Sequence, residues 1–239
     1  MKISVVIPTY NRFKCLLNAI ESVKNQTYGD IEIIVVNDRS SEKWYYEYNF
    51  AGVSVIHLSE DRNSAKKFGY PVPGGYQRNL GIKIATGDYI AFLDDDDIWL
   101  PKKLELQMEA MKQHGCEMSC TDGYMGKGEY NPDKKYPIYN VECYGESLKR
   151  RFKKKRKLHL IESGLPDILN AELIRAHNCC ICSSVIISKK VIDATGEFKI
   201  MRRAEDWDYW KRALQHTDCA YVKEPSFYYD SGHGGGRKY

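Results

Sequence analysis

Short apolar runs alternate with amphipathic stretches through the first half of the chain. Residues 2–7 and 31–36 are β-branched runs, and residues 53–58 and 89–93 repeat the pattern. Such runs mark strands buried on both faces of a parallel sheet. Between the first two, residues 13–25 place Leu16, Leu17, Ile20 and Val23 at helical spacing, which predicts a helix with one apolar stripe. Residues 80–85 belong to another helix, stopped near Thr86-Gly87. The alternation predicts an α/β fold with a mostly parallel central sheet flanked by helices.

The second half is less regular. Residues 101–114 read as a helix with Leu104, Met108 and Met111 on one face, and residues 122–140 read as loop. Residues 142–177 read as mostly helical, 181–188 as a strand, 205–215 as a helix and 220–222 as a strand. Residues 226–239, rich in glycine, read as a flexible tail. No apolar run approaches the roughly 20 residues that a membrane-spanning helix needs. The apolar stretch at the N-terminus is too short for a signal peptide. These features predict a cytoplasmic chain, with room for peripheral membrane contact.

The polar clusters sit where the predicted strands end. Pro8-Thr9-Tyr10-Asn11-Arg12 follows the first strand, Asn37-Asp38-Arg39-Ser40 the second, and Asp94-Asp95-Asp96-Asp97 the fourth. Ligands of open α/β sheets bind beyond the C-terminal strand ends, so the three clusters mark one candidate site. Consecutive aspartates repel one another unless a cation or a proton relieves them. Their oxygens are hard ligands that suit magnesium or manganese. Just past a strand, Asp94 and Asp96 face one side and Asp95 the other. Asp97 has a plainer use as a cap for the helix that follows.

Composition adds one asymmetry. Lys+Arg total 36 against 32 Asp+Glu, a net charge of +4. Residues 149–157 alone hold eight basic residues and no acid, so the remainder carries 28 − 32 = −4. A slightly acidic protein with one basic insertion is not built as a nucleic-acid coat, and no dedicated nucleic-acid binding is expected. The run reads instead as a surface helix, with four uses open: a solvated face, a contact for an anionic acceptor, a contact for an anionic membrane, or a nuclear-import signal. Cys116 and Cys120, with Cys179 and Cys182, can be drawn as a zinc set. The apolar strand that Cys179-Cys180-Ile181-Cys182 enters favours small buried hydrophobes instead.

The motifs, taken in order, resemble a family 2 glycosyltransferase. They are residues 6–12, Gln26-Thr27-Tyr28 before residues 32–38, Arg78-Asn79-Leu80-Gly81, residues 87–101, Ser183-Ser184-Val185-Ile186-Ile187, Gly196-Glu197-Phe198 and Glu205-Asp206-Trp207-Asp208. The resemblance implies a GT-A, Rossmann-like nucleotide-diphospho-sugar transferase fold. In it, residues 1–115 bind the donor, and residues 116–225 bind the acceptor and supply the base. It implies metal-dependent inverting transfer of a sugar from a nucleotide-diphosphate donor, of UDP type, to a glycan, protein or lipid hydroxyl. Asp96 would bind Mn2+ or Mg2+, with Asp94 on ribose or metal. Asp38 would contact the base, and Pro8, Thr9, Tyr10 and Arg12 would line the nucleotide pocket. Arg78 would hold base or diphosphate, and Asp95 would stand among these substrate contacts. Asp206 would be the catalytic base, with Glu205 and Trp207 beside the acceptor.

The chain departs from that pattern in places. Arg39 stands where a glycine is usual, which implies a backbone that avoids glycine-only conformations. Pro71, Pro73, Gly74 and Gly75 fall in a long connection that reads as a lid or specificity loop. His233 is spaced differently from the family's C-terminal histidine and is retained as a metal or phosphate ligand. Two rival readings stand beside this one. A nucleotidyltransferase lacks its usual Gly-rich phosphate loop here, and an inactive sugar-binding relative would not need Asp38, Asp94, Asp96 and Asp206 together.

Overall fold

The structure is a computed structural model and describes residues 1–59 and 73–232. An eight-stranded sheet runs β3-β2-β1-β4-β9-β6-β10-β8. Its left half is β1 (Ile3–Thr9), β2 (Ile31–Asn37), β3 (Val53–His57) and β4 (Tyr89–Phe92), all parallel. β9 (Ile186–Ser188) runs antiparallel to both β4 and β6 (Met118–Thr121). β10 (Cys219–Val222) is parallel to β6, and β8 (Ile168–Leu169) closes that edge antiparallel to β10.

The strand period of two divides the core into two layers. Val6, Ile34, Val36, Ile90 and Phe92 face one layer. Ile3, Val5, Ile7, Ile33, Val35 and Ala91 face the other. Helix α1 (Phe13–Lys24) covers the second layer with Leu16, Ala19, Ile20 and Val23. Four-residue α2 (Trp44–Glu47) follows β2. Helix α3 (Gly74–Ile84) lies against the first layer. A side chain at Gly81 would overlap Val6 Cγ1, so glycine is what lets α3 approach β1 closely.

Several sequence expectations are corrected here. Residues 122–140 contain β7 (Tyr124–Gly126), and the expected tail begins with β11 (Phe227–Asp230). With β5 (Ile98–Trp99) these form a second, three-stranded sheet, β5-β11-β7. Phe227 and Tyr228 are buried in it, so the flexible-tail reading of 226–239 does not hold for its first residues. The stretch 181–188 opens as a 3-10 turn, Cys182–Ser184, before β9. After α4 (Lys103–His114), the stretch 142–177 divides into α5 (Gly145–Lys154), a 3-10 turn, β8 and α6 (Ala171–Ala176). Helices α7 (Lys189–Thr195) and α8 (Glu205–Ala213) complete the set described. Arg39 has φ 56, so it takes the left-handed conformation that its side chain was expected to forbid.

The thiols that converge are not the set suggested by spacing. Cys120, Cys180 and Cys219 bring their sulfurs within 4.8 Å of one another. Burial pushes the Cys120 and Cys219 thiols well above their ordinary range, which makes them neutral packing groups.

Candidate active site

The loops after β1 and β2 are tied together by short side chains. Ser40 Oγ accepts from the Asn11 amide at 2.9 Å, and Asn11 Oδ1 accepts from the Ser41 amide at 2.7 Å. The Asp38 amide donates to the Thr9 carbonyl at 2.9 Å. Tyr45, on α2, completes the knot: its hydroxyl lies 2.8 Å from Thr9 Oγ1 and accepts from the Arg12 amide at 2.9 Å. Burial pushes the Tyr45 hydroxyl up to about 12, so it stays a neutral hydrogen-bonding group. Sequence reading missed it, because nothing local distinguishes Tyr45 from its exposed neighbours Trp44 and Tyr46.

The aspartate run lies in a turn past β4, closed by the Asp97 amide donating to the Asp94 carbonyl at 3.1 Å, and its burial alternates. Asp95 and Asp97 are fully buried, while the Asp94 and Asp96 side chains keep 33% and 14% exposure. Arg12 reaches both sides of the run, 2.7 Å from Asp95 Oδ1 and 2.5 Å from Asp96 Oδ2. Burial, opposed by Arg12, pushes the Asp95 carboxyl up to about 7. Asp95 therefore holds Arg12 from inside the run. Asp97 is not a helix cap either. It accepts from Ser183 Oγ at 2.5 Å and from the Asp230 amide at 3.0 Å, which locks the run to β11. Pro8 is enclosed within β1 and Asp38 is fully buried, whereas Tyr10 is half-buried at the mouth of the first loop.

Arg78, projecting from α3, joins this edge to the other half of the chain. It is 2.5 Å from Asp94 Oδ1 and 3.4 Å from Glu205 Oε1, with only 6% of its side chain exposed. Glu205 and Asp206 open α8, directly after Ala204, which holds φ 56. A non-glycine residue in that region costs about 1–2 kcal/mol, and such strain gathers at functional sites. Asp206 accepts from the Trp207 amide at 2.7 Å and from Asn178 Nδ2 at 3.1 Å. Burial, with the neighbouring Glu205 charge, raises the Asp206 carboxyl above its ordinary value, against the pull of those two donors and Arg78. A carboxylate poised this way is suited to take a proton.

The rest of the α8 surface divides by use. Asp208 pairs with Arg212 at 3.0 Å, as its helical spacing predicts, and with Lys199 at 3.1 Å. Trp210 is buried against Phe92 and Phe198. Trp207 is half-buried and donates through Nε1 to the Ile174 carbonyl at 2.6 Å. Tyr139 packs on Tyr144 and Tyr229 with ring centroids 4.7 and 5.6 Å away. Burial raises the Tyr139 and Tyr229 hydroxyls, followed by nearby anions that include Asp206 for Tyr139 and Asp94 for Tyr229. These rings form an aromatic cluster within electrostatic reach of both carboxylate groups that no sequence motif announced. His233 and the connection holding Pro71 lie outside the described residues, while Pro73 caps α3, which Gly74 and Gly75 begin.

Residues 4–171 match the sequence model of glycosyl transferase family 2. The chain belongs to that family. The *Escherichia coli* protein WfgD, named a UDP-Glc:alpha-D-GlcNAc-diphosphoundecaprenol beta-1,3-glucosyltransferase, is 35% identical over 109 residues, 46% of this chain and 40% of its own. *Staphylococcus aureus* TarS, solved with UDP-GlcNAc, superposes with a TM-score of 0.67 at 18% identity, over 100% of this chain and 62% of the other. The *Pyrobaculum calidifontis* mannosyltransferase PcManGT, solved with GDP-Man and Mn2+, gives 0.55 at 14% identity, over 94% and 55%. These likenesses establish the GT-A glycosyltransferase fold. The chain spans 16% and 64% of the lengths of the first two curated relatives it matches.

Proposed function

We propose that this chain transfers a sugar, with inversion, from a UDP-type donor to a hydroxyl of a glycan, protein or lipid acceptor, assisted by Mn2+ or Mg2+. The Arg78 bridge carries the reading. It joins Asp94, at the edge where the family binds its nucleotide sugar, to Glu205 beside Asp206. The bridge thus brings a donor-side carboxylate to the residue beside the proton acceptor. Family membership and the UDP-sugars named for WfgD and TarS support the donor class.

The donor set fits a hard divalent ion. Asp94 and Asp96 are two partly exposed carboxylates on one side of the run, and such ions complete their shell with substrate phosphates and water. Bound there, the ion would supply positive charge opposite the departing diphosphate. Thr9, Tyr10 and Arg12 border the nucleotide, and the base reaches Asp38 once the side chains over it move aside. Arg78 holds its charge in a buried position, fixing Asp94 and Glu205 in place. Asp206, oriented by Asn178 and the Trp207 amide, takes the hydroxyl proton as the acceptor oxygen bonds to the anomeric carbon. The bond from that carbon to the diphosphate breaks, and the diphosphate leaves with the electron pair. Attack opposite the leaving group inverts the centre.

No helix among the described residues is long and apolar enough to cross a membrane. Residues 149–157 are read as a contact for an anionic acceptor or membrane face. Nothing in the site favours the nucleotidyltransferase reading. A thermal-shift screen of nucleotides and nucleotide sugars with manganese tests the donor class, because a ligand at 100 times its Kd adds about 2.7 kcal/mol. We expect UDP and UDP-sugars to raise the melting temperature. A response confined to purine nucleotides would overturn the donor class.

A further inference from the structure

Ser183 lies against the aspartate run. It belongs to the 3-10 turn Cys182–Ser184 that precedes β9, and it is fully buried. Its hydroxyl meets the run at both ends. Ser183 Oγ accepts from the Asp94 amide at 3.0 Å and donates to Asp97 Oδ2 at 2.5 Å. The run itself is closed by the Asp97 amide donating to the Asp94 carbonyl at 3.1 Å. One oxygen therefore pins the first and the last residue of a four-residue turn whose more exposed carboxylates are Asp94 and Asp96. The other oxygen of Asp97 accepts from the Asp230 amide at 3.0 Å, so the same pin reaches β11.

Two observations separate this contact from the ordinary bonding of a buried serine. Ser184, next in the chain and equally buried, uses its hydroxyl within its own turn, donating to the Ile181 carbonyl at 2.7 Å. Ser183 instead turns its hydroxyl onto residues 86 and 89 positions away. Secondly, the turn that carries Ser183 is held from two sides. Trp99 Nε1 donates to the Ser183 carbonyl at 2.8 Å, and Gln107 Nε2 to the Ser184 carbonyl at 2.9 Å. Lys103, fully buried in the first turn of α4, fixes both clamps. Its Nζ donates to Gln107 Oε1 at 2.6 Å and lies 4.0 Å from the Trp99 ring centroid, a contact that an aromatic face favours. The serine is thus a fixed point against which the aspartate turn is set. The turn needs one, because successive carboxylates repel. Arg12 and Arg78 hold carboxylate oxygens of Asp94, Asp95 and Asp96, whereas Ser183 also holds the turn's backbone.

We propose that Ser183 is a positioning residue for the divalent ion: by pinning both ends of the turn, it keeps Asp94 and Asp96 on one side, ready to take the ion. The hydroxyl acts through the aspartates and touches neither ion nor substrate. A hydroxyl suits the place because it donates and accepts at once. A methyl group there would leave the Asp94 amide and Asp97 Oδ2 without this partner and let the turn relax. Groups that hold metal ligands from behind change metal affinity by about 10–100-fold. The inference rests on Asp94 and Asp96 holding the ion, as proposed above.

The test titrates UDP by calorimetry into the parent chain, Ser183→Ala and Ser184→Ala at a series of manganese concentrations. It reads the manganese concentration that gives half of the tightening. We expect Ser183→Ala to need about 10–100-fold more manganese, with its metal-free UDP affinity within about twofold of the parent. Ser184→Ala removes an equally buried hydroxyl and should match the parent in both measures. Each variant deletes one oxygen and overpacks nothing, and urea denaturation checks that both are folded under the assay conditions. A manganese requirement within about threefold of the parent in Ser183→Ala would overturn the proposal. So would an equal rise in Ser184→Ala, or a metal-free loss as large as the loss with manganese, because either marks general loosening. The parent titration tests the ion site by itself. A parent whose UDP affinity ignores manganese fails that reading and this inference with it, whereas a responsive parent beside an unshifted Ser183→Ala fails the inference alone.

Discussion

Replacing Arg78 by methionine removes a charge that spans the two halves of the site. The side chain is 6% exposed and faces Asp94 at 2.5 Å and Glu205 at 3.4 Å. Stripping one partner from a fully buried ion pair costs about 3–5 kcal/mol. Here the abandoned carboxylates keep 33% and 19% exposure, so water recovers part of the loss, and we expect roughly 2 kcal/mol. For a chain of this size each kcal/mol moves the midpoint by about 2–4 °C, which gives a fall of about 4–8 °C. Chemical denaturation of Arg78→Met beside Arg78→Lys checks the figure. Lysine retains the charge without the fork, and should recover part of the loss. A methionine variant within about 0.5 kcal/mol of the parent would refute the bridge, and equal loss in both variants would show that shape rather than charge matters.

Three further outcomes follow from the site. Asp206 must be ionised to accept a proton, and its carboxyl is raised by burial. Turnover should therefore fall on acidification along a limb centred above the ordinary aspartate value of about 3.9, and Asp206→Asn should remove transfer while UDP still binds; a pH–rate profile with its limb at or below 3.9 would contradict this. Ala204→Gly relieves the φ 56 strain, and we expect stability unchanged or raised by up to about 1 kcal/mol, whereas a loss above 1 kcal/mol in urea would deny the strain. Gly81→Ala forces a methyl group into Val6 and should cost about 1–3 kcal/mol by the same assay.

What sequence could reveal follows the range of the forces involved. β1, β2 and β4 were legible because residues buried on both faces are apolar whatever their partners, and edge strand β3 because Val53, Val55 and Ile56 are partly buried. The alternation of Asp94 and Asp96 against Asp95 and Asp97 was legible too, although the run lies in a turn past β4 rather than in a strand. The use of each buried carboxylate was not. Asp97 bonds to Ser183 and Asp230, 86 and 133 residues away, and Asp95 depends on Arg12 at the first strand end. β11 was read as tail because Tyr229-Asp230-Ser231-Gly232 has turn chemistry, while its burial comes from pairing with β5 and β7. Arg39 was misjudged for the opposite reason. A side chain disfavours the left-handed region by an amount small enough for the loop hydrogen bonds around Asn11 and Ser40 to override. Tyr45, Tyr139 and Tyr229 carry no local mark at all; only the fold brings them to the carboxylates.

The central claim is a divalent-assisted UDP-sugar site centred on Asp96. Titrating UDP into the chain with and without manganese, in the parent and in Asp96→Ala, tests it most directly. The account expects manganese to tighten UDP binding at least tenfold in the parent, and to have no effect in the variant. An equal manganese response in both would contradict it.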